Sequence, residues 1–413
     1  MLYITISEKG RINIMSIKRL ILLIILILIS TYAMNEECTT AVISGQATPD
    51  NKPILWKNRD SDHIINKIIY VAETPYSYIG IINTEDNAGR MVWAGLNSEG
   101  FAIMNSVAYN LPKEGEMHDL EGIIMADALR TCRTVNDFEE YIKKNIGPSF
   151  GSQANFGVID AYGASAIFEV SNKEYKRLNT ADTKEKYIIN TNFARSGEKD
   201  KGRGYMRFQR ASELFAKISE RNISPSYIIQ YISRDIGNAL LGEVDLDSAA
   251  KLSSISPKWA YTNHSINRYY TSSAVIIHGK NANNKNDIAT IWVMLGEPIF
   301  SIAVPLWVEA GEVPDALSKG DIALIADYSY KLKQIARPFT DDERKEYLDL
   351  TKLINNKNTG FLPFIIQTEK EILNQTETFL KTKHTRQELI SFQNEMAEKA
   401  LKTLKKIYES YEK

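Results

Sequence analysis

Cysteine and histidine are scarce in this chain, with 2 cysteines and 5 histidines in 413 residues. Two cysteines cannot build a disulfide framework. His63, His118, His264, His278 and His384 are scattered, with no His-Glu-x-x-His and no Cys-x-x-Cys. No metal and no cofactor is therefore expected. A Walker loop and a Gly-x-Ser-x-Gly elbow are also missing, which removes the usual marks of nucleotide binding and of a serine-elbow hydrolase. An excess of charge of one sign is missing too. The 50 Lys and Arg nearly balance the 51 Asp and Glu, for a net charge of -1, and this gives no attraction to nucleic acid. There is no internal repeat and no low-complexity tract.

Long hydrophobic runs are limited to one, Leu20 to Ile29. It falls short of the roughly 20 residues that a membrane span needs. Lys18 and Arg19 precede it, and Ser30-Thr31-Tyr32-Ala33 follows, with Thr31 and Ala33 in an A-x-A-like arrangement. This predicts a secretory signal over residues 1–33, with Met15 as a candidate true start. Export to the periplasm or the medium would follow, without stable membrane insertion after cleavage. An uncleaved anchor is the alternative. Residues 34–37 then form a short propeptide.

What the chain does have is Cys38-Thr39-Thr40 just past that segment, and Trp56-Lys57-Asn58-Arg59-Asp60 about twenty residues on. One cleavage would make Cys38 the first residue of a mature chain. A cysteine there carries its own base, because a free α-amine, with an ordinary pKa near ~8, sits beside the thiol. Cys132 lies in a helical pattern and reads as a small buried apolar residue. A disulfide between the two cysteines would block this chemistry.

The hydrophobic patterning reads as sheet first and helices last. Strands are expected at 65–73, 78–83, 90–96, 100–107, 156–160, 164–170, 174–178, 187–190, 273–279, 288–295 and 300–307. Helices are expected at 120–131, at 135–146 after a cap by Thr134 or Asn136, at 206–219 and at 225–236. Residues 38–308 form the main domain, and 309–413 a charged helical extension. Within it Leu389, Phe392, Met396, Ala400, Leu404, Ile407 and Tyr411 mark an amphipathic helix. That helix packs on the main domain or on a second copy, so a homo-oligomer stays open. The fold class is α+β, two antiparallel sheets with helices outside.

The run Cys38 to Gly45, then Ala47-Thr48-Pro49-Asp50, then Ile54 to Asp60 resembles the N-terminal nucleophile hydrolases. The resemblance is to the branch containing acyl-coenzyme A:6-aminopenicillanic acid acyltransferases. Choloylglycine hydrolases and penicillin V acylases are more distant. It continues in Gly95 to Gly100, Phe156 to Asp160, Asn190 to Ala194 and Thr271 to Val275. The resemblance implies a four-layer αββα sandwich with Cys38 as nucleophile and self-cleavage of the Glu37–Cys38 bond. It implies that Asp60 orients the terminal amine and that Asn192 donates to the oxyanion. Asn105 is a candidate second donor and Arg268 a supporting arginine. Where choloylglycine hydrolases carry an arginine three positions before the aspartate, this chain has Lys57, with an arginine at Arg59 instead. On a strand both share one face, opposite Asn58 and Asp60. A bulge or turn is needed if either is to join Asp60, and Arg59 is favoured. The activity implied is hydrolysis of a linear, non-peptide amide of a small molecule through a Cys38 thioester. Transfer of the acyl group to an amine, dipeptide cleavage and a non-catalytic binding role stay open.

Overall fold

The computed structural model describes residues 37–86, 88–113, 115, 119–253, 256–284 and 286–411. The expected signal segment and most of the expected propeptide lie outside the described residues. Among those described, two antiparallel sheets stack face to face, with helices on both outer faces. The fold is an α+β, four-layer αββα sandwich.

The first sheet has the order β10-β1-β2-β12-β13-β14. Its members are β1 (Glu37–Ile43), β2 (Ile54–Asp60), β10 (Tyr187–Asn190), β12 (Thr271–His278), β13 (Thr290–Leu295) and β14 (Val304–Leu306). The second runs β3 to β9 in chain order as a meander. It comprises β3 (Asn66–Val71), β4 (Tyr78–Asn83), β5 (Ala94–Asn97), β6 (Ala102–Val107), β7 (Ala154–Ile159), β8 (Ser165–Val170) and β9 (Tyr175–Asn179). β11 (Trp259–Tyr261) and β15 (Tyr347–Asp349) pair apart from both. Strand β2 lies between β1 and β12 and every residue of it is buried. Its Lys57, Asn58, Arg59 and Asp60 must therefore all find partners inside the protein.

Helix α1 (Glu121–Thr131) packs on β4, β5 and β6. Helix α2 (Val135–Asn145) starts with a capping box between Thr134 and Asp137, which settles the cap on Thr134. It sends Phe138 edge-on into Phe156 and Phe168. Helix α3 (Tyr205–Ala216) lies against β10 and β1. In the extension, α4 (Leu324–Ala336), α5 (Phe361–Phe379) and α6 (Arg386–Tyr411) build the layer beside β13 and β14. The stripe expected on α6 is buried at Leu389, Met396, Ala400, Leu404 and Ile407, and α6 packs on α4, α5 and β14 of its own chain.

Strands β1, β2, β11 and β15 are not among the expected ones, and four of the expected elements differ in form or place. β10 does not continue the meander: the turn at Thr180–Asp182 carries the chain to the other sheet, where β10 pairs with β1. The strand expected at 90–96 starts only at Ala94, because Met91 N donates to the Asp86 side chain and Val92 N to the Gly122 carbonyl instead of a ladder. The helix expected over 225–236 is one turn followed by a π stretch, Ile228–Ile232. The last strand shrinks to Val304–Leu306, with a 3-10 turn at Pro298–Phe300. Its Pro305 sits on the sheet edge, where a missing N–H is tolerated.

Gly157 sits where its own sheet leaves no room and the other sheet comes close. A Cβ there would lie 2.3 Å from Met104 and 2.7 Å from Val42, so the Phe156 to Asp160 motif serves packing. Asp160 closes its hairpin by accepting from the N–H groups of Tyr162 and Ala164, and it also accepts from Val135 N.

Candidate active site

The ends of four strands, β1, β2, β10 and β12, bring the expected residues together. In the β1–β10 register Thr40 faces Asn190, so two residues further out Cys38 meets Asn192. In the β1–β2 register Glu37 faces Asp60 and Cys38 faces Arg59. In the β2–β12 register Asp60 faces Thr271, with the register shifting between Thr271 and Ser273. β2 keeps its alternation against β1, so neither Lys57 nor the favoured Arg59 joins Asp60. The register shift lies in β12 instead, where the Thr271 hydroxyl meets Asp60.

The chain is continuous through Glu37 and Cys38 in this structure. Cys38 N donates to Asn192 Oδ1 at 3.1 Å. Arg207, on α3, wraps this point of the strand. Its Nη1 donates to Cys38 O at 2.7 Å and to Thr39 Oγ1 at 3.0 Å. Its Nη2 donates to Glu37 Oε2 at 2.9 Å and to Asn192 Oδ1 at 2.8 Å. Arg268 completes the cluster, with Nε on Asp60 Oδ2 at 2.7 Å and Nη2 on Glu37 Oε2 at 2.8 Å. Thr271 Oγ1 donates to Asp60 Oδ1 at 2.7 Å. Cys38, Asp60, Asn192, Arg207 and Arg268 are all buried.

Burial raises the Asp60 carboxyl against the pull of Arg268 and Arg207. At Arg268 burial is outweighed by Asp60 and Glu37, which hold the guanidinium more firmly protonated. With two hydrogen bonds on the Asp60 carboxylate, the ion pair is the state the geometry supports. Burial works to raise Glu37 as well, but Arg207, Arg268 and Arg203 outweigh it and hold that carboxyl below its ordinary range.

Lys57 and Arg59 point to the other side of β2, toward the second sheet. Lys57 Nζ donates to Trp93 O at 2.8 Å and to Asn105 Oδ1 at 2.6 Å. Asn105 Nδ2 in turn donates to Glu121 Oε2 at 2.6 Å. Arg59 bonds Asn83 at 2.8 Å and lies over the Trp93 ring. Cross-strand partners emerge on one face, so Arg59 shares a face with Cys38, while Asp60 shares one with Glu37. Asn105 belongs to the Lys57–Glu121 chain. Neither cysteine forms a disulfide, and burial pushes the Cys132 thiol up to about 12.

Arg207 and Glu37 were not singled out from sequence. The signal for Arg207 was there: it occupies a helical stripe with Ala211 and Leu214, which are buried with it, and an arginine in an apolar stripe needs a buried partner. Gly204 helps to seat it. At φ 76° it begins α3, and a Cβ there would lie 2.7 Å from Arg207 Nη2.

A cavity of about 990 Å³ lies at the opposite end of the first sheet, lined by Lys52, His278, Trp292, Lys370 and His384 among others. His278 pairs with Ile54 and Thr271 with Asp60, so six steps along β2, roughly 20 Å, separate it from Asp60.

No family model matches the chain, and no curated protein matches it. Solved structures do. The chain is similar to the Caenorhabditis elegans ortholog of N-acylethanolamine-hydrolyzing acid amidase, with a TM-score of 0.40, 13% identity, and 58% of this chain and 92% of that chain covered. It is similar to a variant of conjugated bile acid hydrolase from Clostridium perfringens, with a TM-score of 0.37, 11% identity, and 62% and 89% covered. It is also similar to penicillin V acylase from Agrobacterium tumefaciens, with a TM-score of 0.38, 12% identity, and 65% and 86% covered. These are likenesses of fold.

Asn192 joins the Cys38 N–H, the Arg207 fork and, through Nδ2, the Val107 carbonyl at 3.0 Å. The resemblance implies an oxyanion donor, whereas here Nδ2 donates to Val107 O and Oδ1 accepts from Cys38 N and Arg207, so Asn192 stands as a positioning residue. Asn192→Ala is expected to lower kcat by roughly 10- to 100-fold, the worth of a hydrogen bond to a charged group. Steady-state kinetics on the cleaved variant would check this, and a change below threefold would remove Asn192 from the chemistry.

Proposed function

We propose that this protein is an exported, self-processing cysteine amidohydrolase that cleaves a linear, non-peptide carbon–nitrogen bond. The observation that carries the reading is the setting of the Glu37–Cys38 peptide. Its N–H rests on Asn192, and the next carbonyl and the Glu37 carboxylate rest on Arg207, beside the buried Asp60–Arg268 pair. The order of motifs resembling the N-terminal nucleophile hydrolases supports it.

In processing, Cys38 Sγ attacks the Glu37 carbonyl carbon. The C–N bond breaks as the nitrogen takes up a proton, and a thioester forms. Water then adds to the thioester carbon, releasing the Glu37 carboxylate and the thiol. In turnover the α-amine takes the thiol proton, Sγ attacks the substrate amide, and the α-ammonium returns the proton to the leaving amine. Water hydrolyses the second thioester as it did the first. Asn192 and Arg207 fix the amine and the strand at which both reactions occur, and Asp60 holds Arg268 in place beside them.

The test is the N-terminal sequence and intact mass of purified protein with and without Cys38→Ala. Wild type is expected to start at Cys38 and the variant to keep residues upstream of it. A wild-type chain that still carries Glu37 would remove the free amine from the mechanism and overturn the reading.

A further inference from the structure

The geometry points to a carboxylate-binding subsite between Arg207 and Arg268 that Glu37 occupies until cleavage, and that afterwards selects substrates whose acyl group ends in a carboxylate separated from the scissile carbonyl by three carbons. This deepens the proposed amidohydrolase reading and rests on it.

Glu37 Oε2 accepts from both guanidiniums, at 2.9 and 2.8 Å. Both arginines are anchored independently of it. Arg207 also holds Cys38 O, Thr39 Oγ1 and Asn192 Oδ1, and Arg268 also holds Asp60. Glu37 itself retains 18% side-chain exposure, while Arg207 retains none and Arg268 7%. The receptor is therefore built into the fold, and its occupant sits at the edge. When Glu37 leaves, Asp60 is the one carboxylate still in direct contact with the two guanidiniums among the described residues, with Glu346 acting on Arg268 from further off. An unmatched buried cation favours an incoming anion strongly.

The length of the acyl group follows from the chemistry of processing. That step is itself an acylation, in which the acyl group is the glutamyl residue. As the carbonyl carbon passes from Cys38 N to Sγ it stays within a five-membered ring of C, N, Cα, Cβ and Sγ. The carbon moves little, and the side chain stays in its clamp. The resulting thioester, an acyl group on Sγ beside a free α-amine, is the same species that turnover produces. An external acyl group of glutaryl length would place its carbonyl and its carboxylate where those of Glu37 were. The deacylation water and the released acid balance as in processing.

Two measurements test this. Processed wild-type enzyme is assayed on glutaryl and pentanoyl amides of 7-amino-4-methylcoumarin, which match in chain length and differ in the terminal carboxylate. The glutaryl amide is expected to be preferred in kcat/KM by about 10- to 100-fold, as for charge-assisted hydrogen bonds. Equal or better cleavage of the pentanoyl amide would overturn the subsite and leave the amidohydrolase standing. Glutarate binding is measured separately by calorimetry on the processed chain and on uncleaved Cys38→Ala, with circular dichroism to establish that both are folded. The processed chain is expected to bind glutarate at least tenfold more tightly than the uncleaved one, whose site Glu37 still fills. Equal binding, or none to either, overturns the subsite. A processed chain that binds glutarate and cleaves no amide would sink the amidohydrolase reading and keep the subsite.

Discussion

A chain released with alanine in place of Cys38 at its new N-terminus is expected to cleave amides at least ~10⁴-fold more slowly than wild type, since nothing replaces a lost nucleophile in a concerted set. The comparison is made on residues 38–413 freed from a removable leader, so that processing and turnover are separated. The amine, Asp60, Asn192 and both arginines all remain in this variant. They can hold a substrate and move a proton, but the carbonyl carbon has no atom to receive it. The fold should survive, because the substitution removes one buried sulfur next to Thr39 and leaves the β1–β2 ladder untouched. The expected pattern is therefore an unchanged unfolding midpoint with hydrolysis at background. Activity within tenfold of wild type would mean that the thiol is not the nucleophile.

Glu369→Ala is expected to cost about 3–5 kcal/mol of stability, the usual penalty for breaking one side of a buried ion pair. Glu369 lies on α5 and is fully buried. Its two oxygens accept from Arg234 at 2.6 and 2.7 Å and from Ala303 N at 2.9 Å. Arg234 spends its other donors on the carbonyls of Ile229, Pro298 and Ser301. One ion pair thus ties the extension to the loops before β14. Without the carboxylate, a guanidinium 4% exposed is left uncompensated. Replacing both partners with apolar residues, Arg234→Met and Glu369→Leu together, should recover most of the loss. Denaturant unfolding reads both. A loss below 1 kcal/mol for the single variant would show that the extension is not held this way.

Much of the layer structure was legible because its causes are local. Alternation in Tyr78 to Asn83 and Ala164 to Val170, a cap signal at Thr134 or Asn136, and the stripe from Leu389 to Tyr411 each record their own element. The partners were less legible. Whether β10 joins β9 or β1 depends on where a short turn sends the chain, and periodicity is silent on that. In the site, Asn192 and Arg268 were reached by resemblance and stand beside Cys38 and Asp60. The alternation rule placed Lys57 and Arg59 opposite Asp60, as found. Arg207 and the Glu37 side chain went unremarked: the apolar stripe around Arg207 signalled a buried partner, but which partner it meets is set only when α3 and β1 are packed together. The bulge at Ser272 is equally invisible in sequence, where Thr271-Ser-Ser reads as ordinary strand.

The strand that carries Asp60 has no edge. β2 is paired along its length with β1 on one side and β12 on the other, and both of those strands also bear site residues. Asp60 stands in the last pair of each ladder, and there the Arg268 and Thr271 side chains hold its carboxylate on both oxygens. The site and the core therefore share one cooperative unit. As heat or denaturant rises, such a protein keeps its full chemistry in a shrinking population of intact molecules. It does not pass through a weakened form of itself, and residual activity counts the molecules still folded.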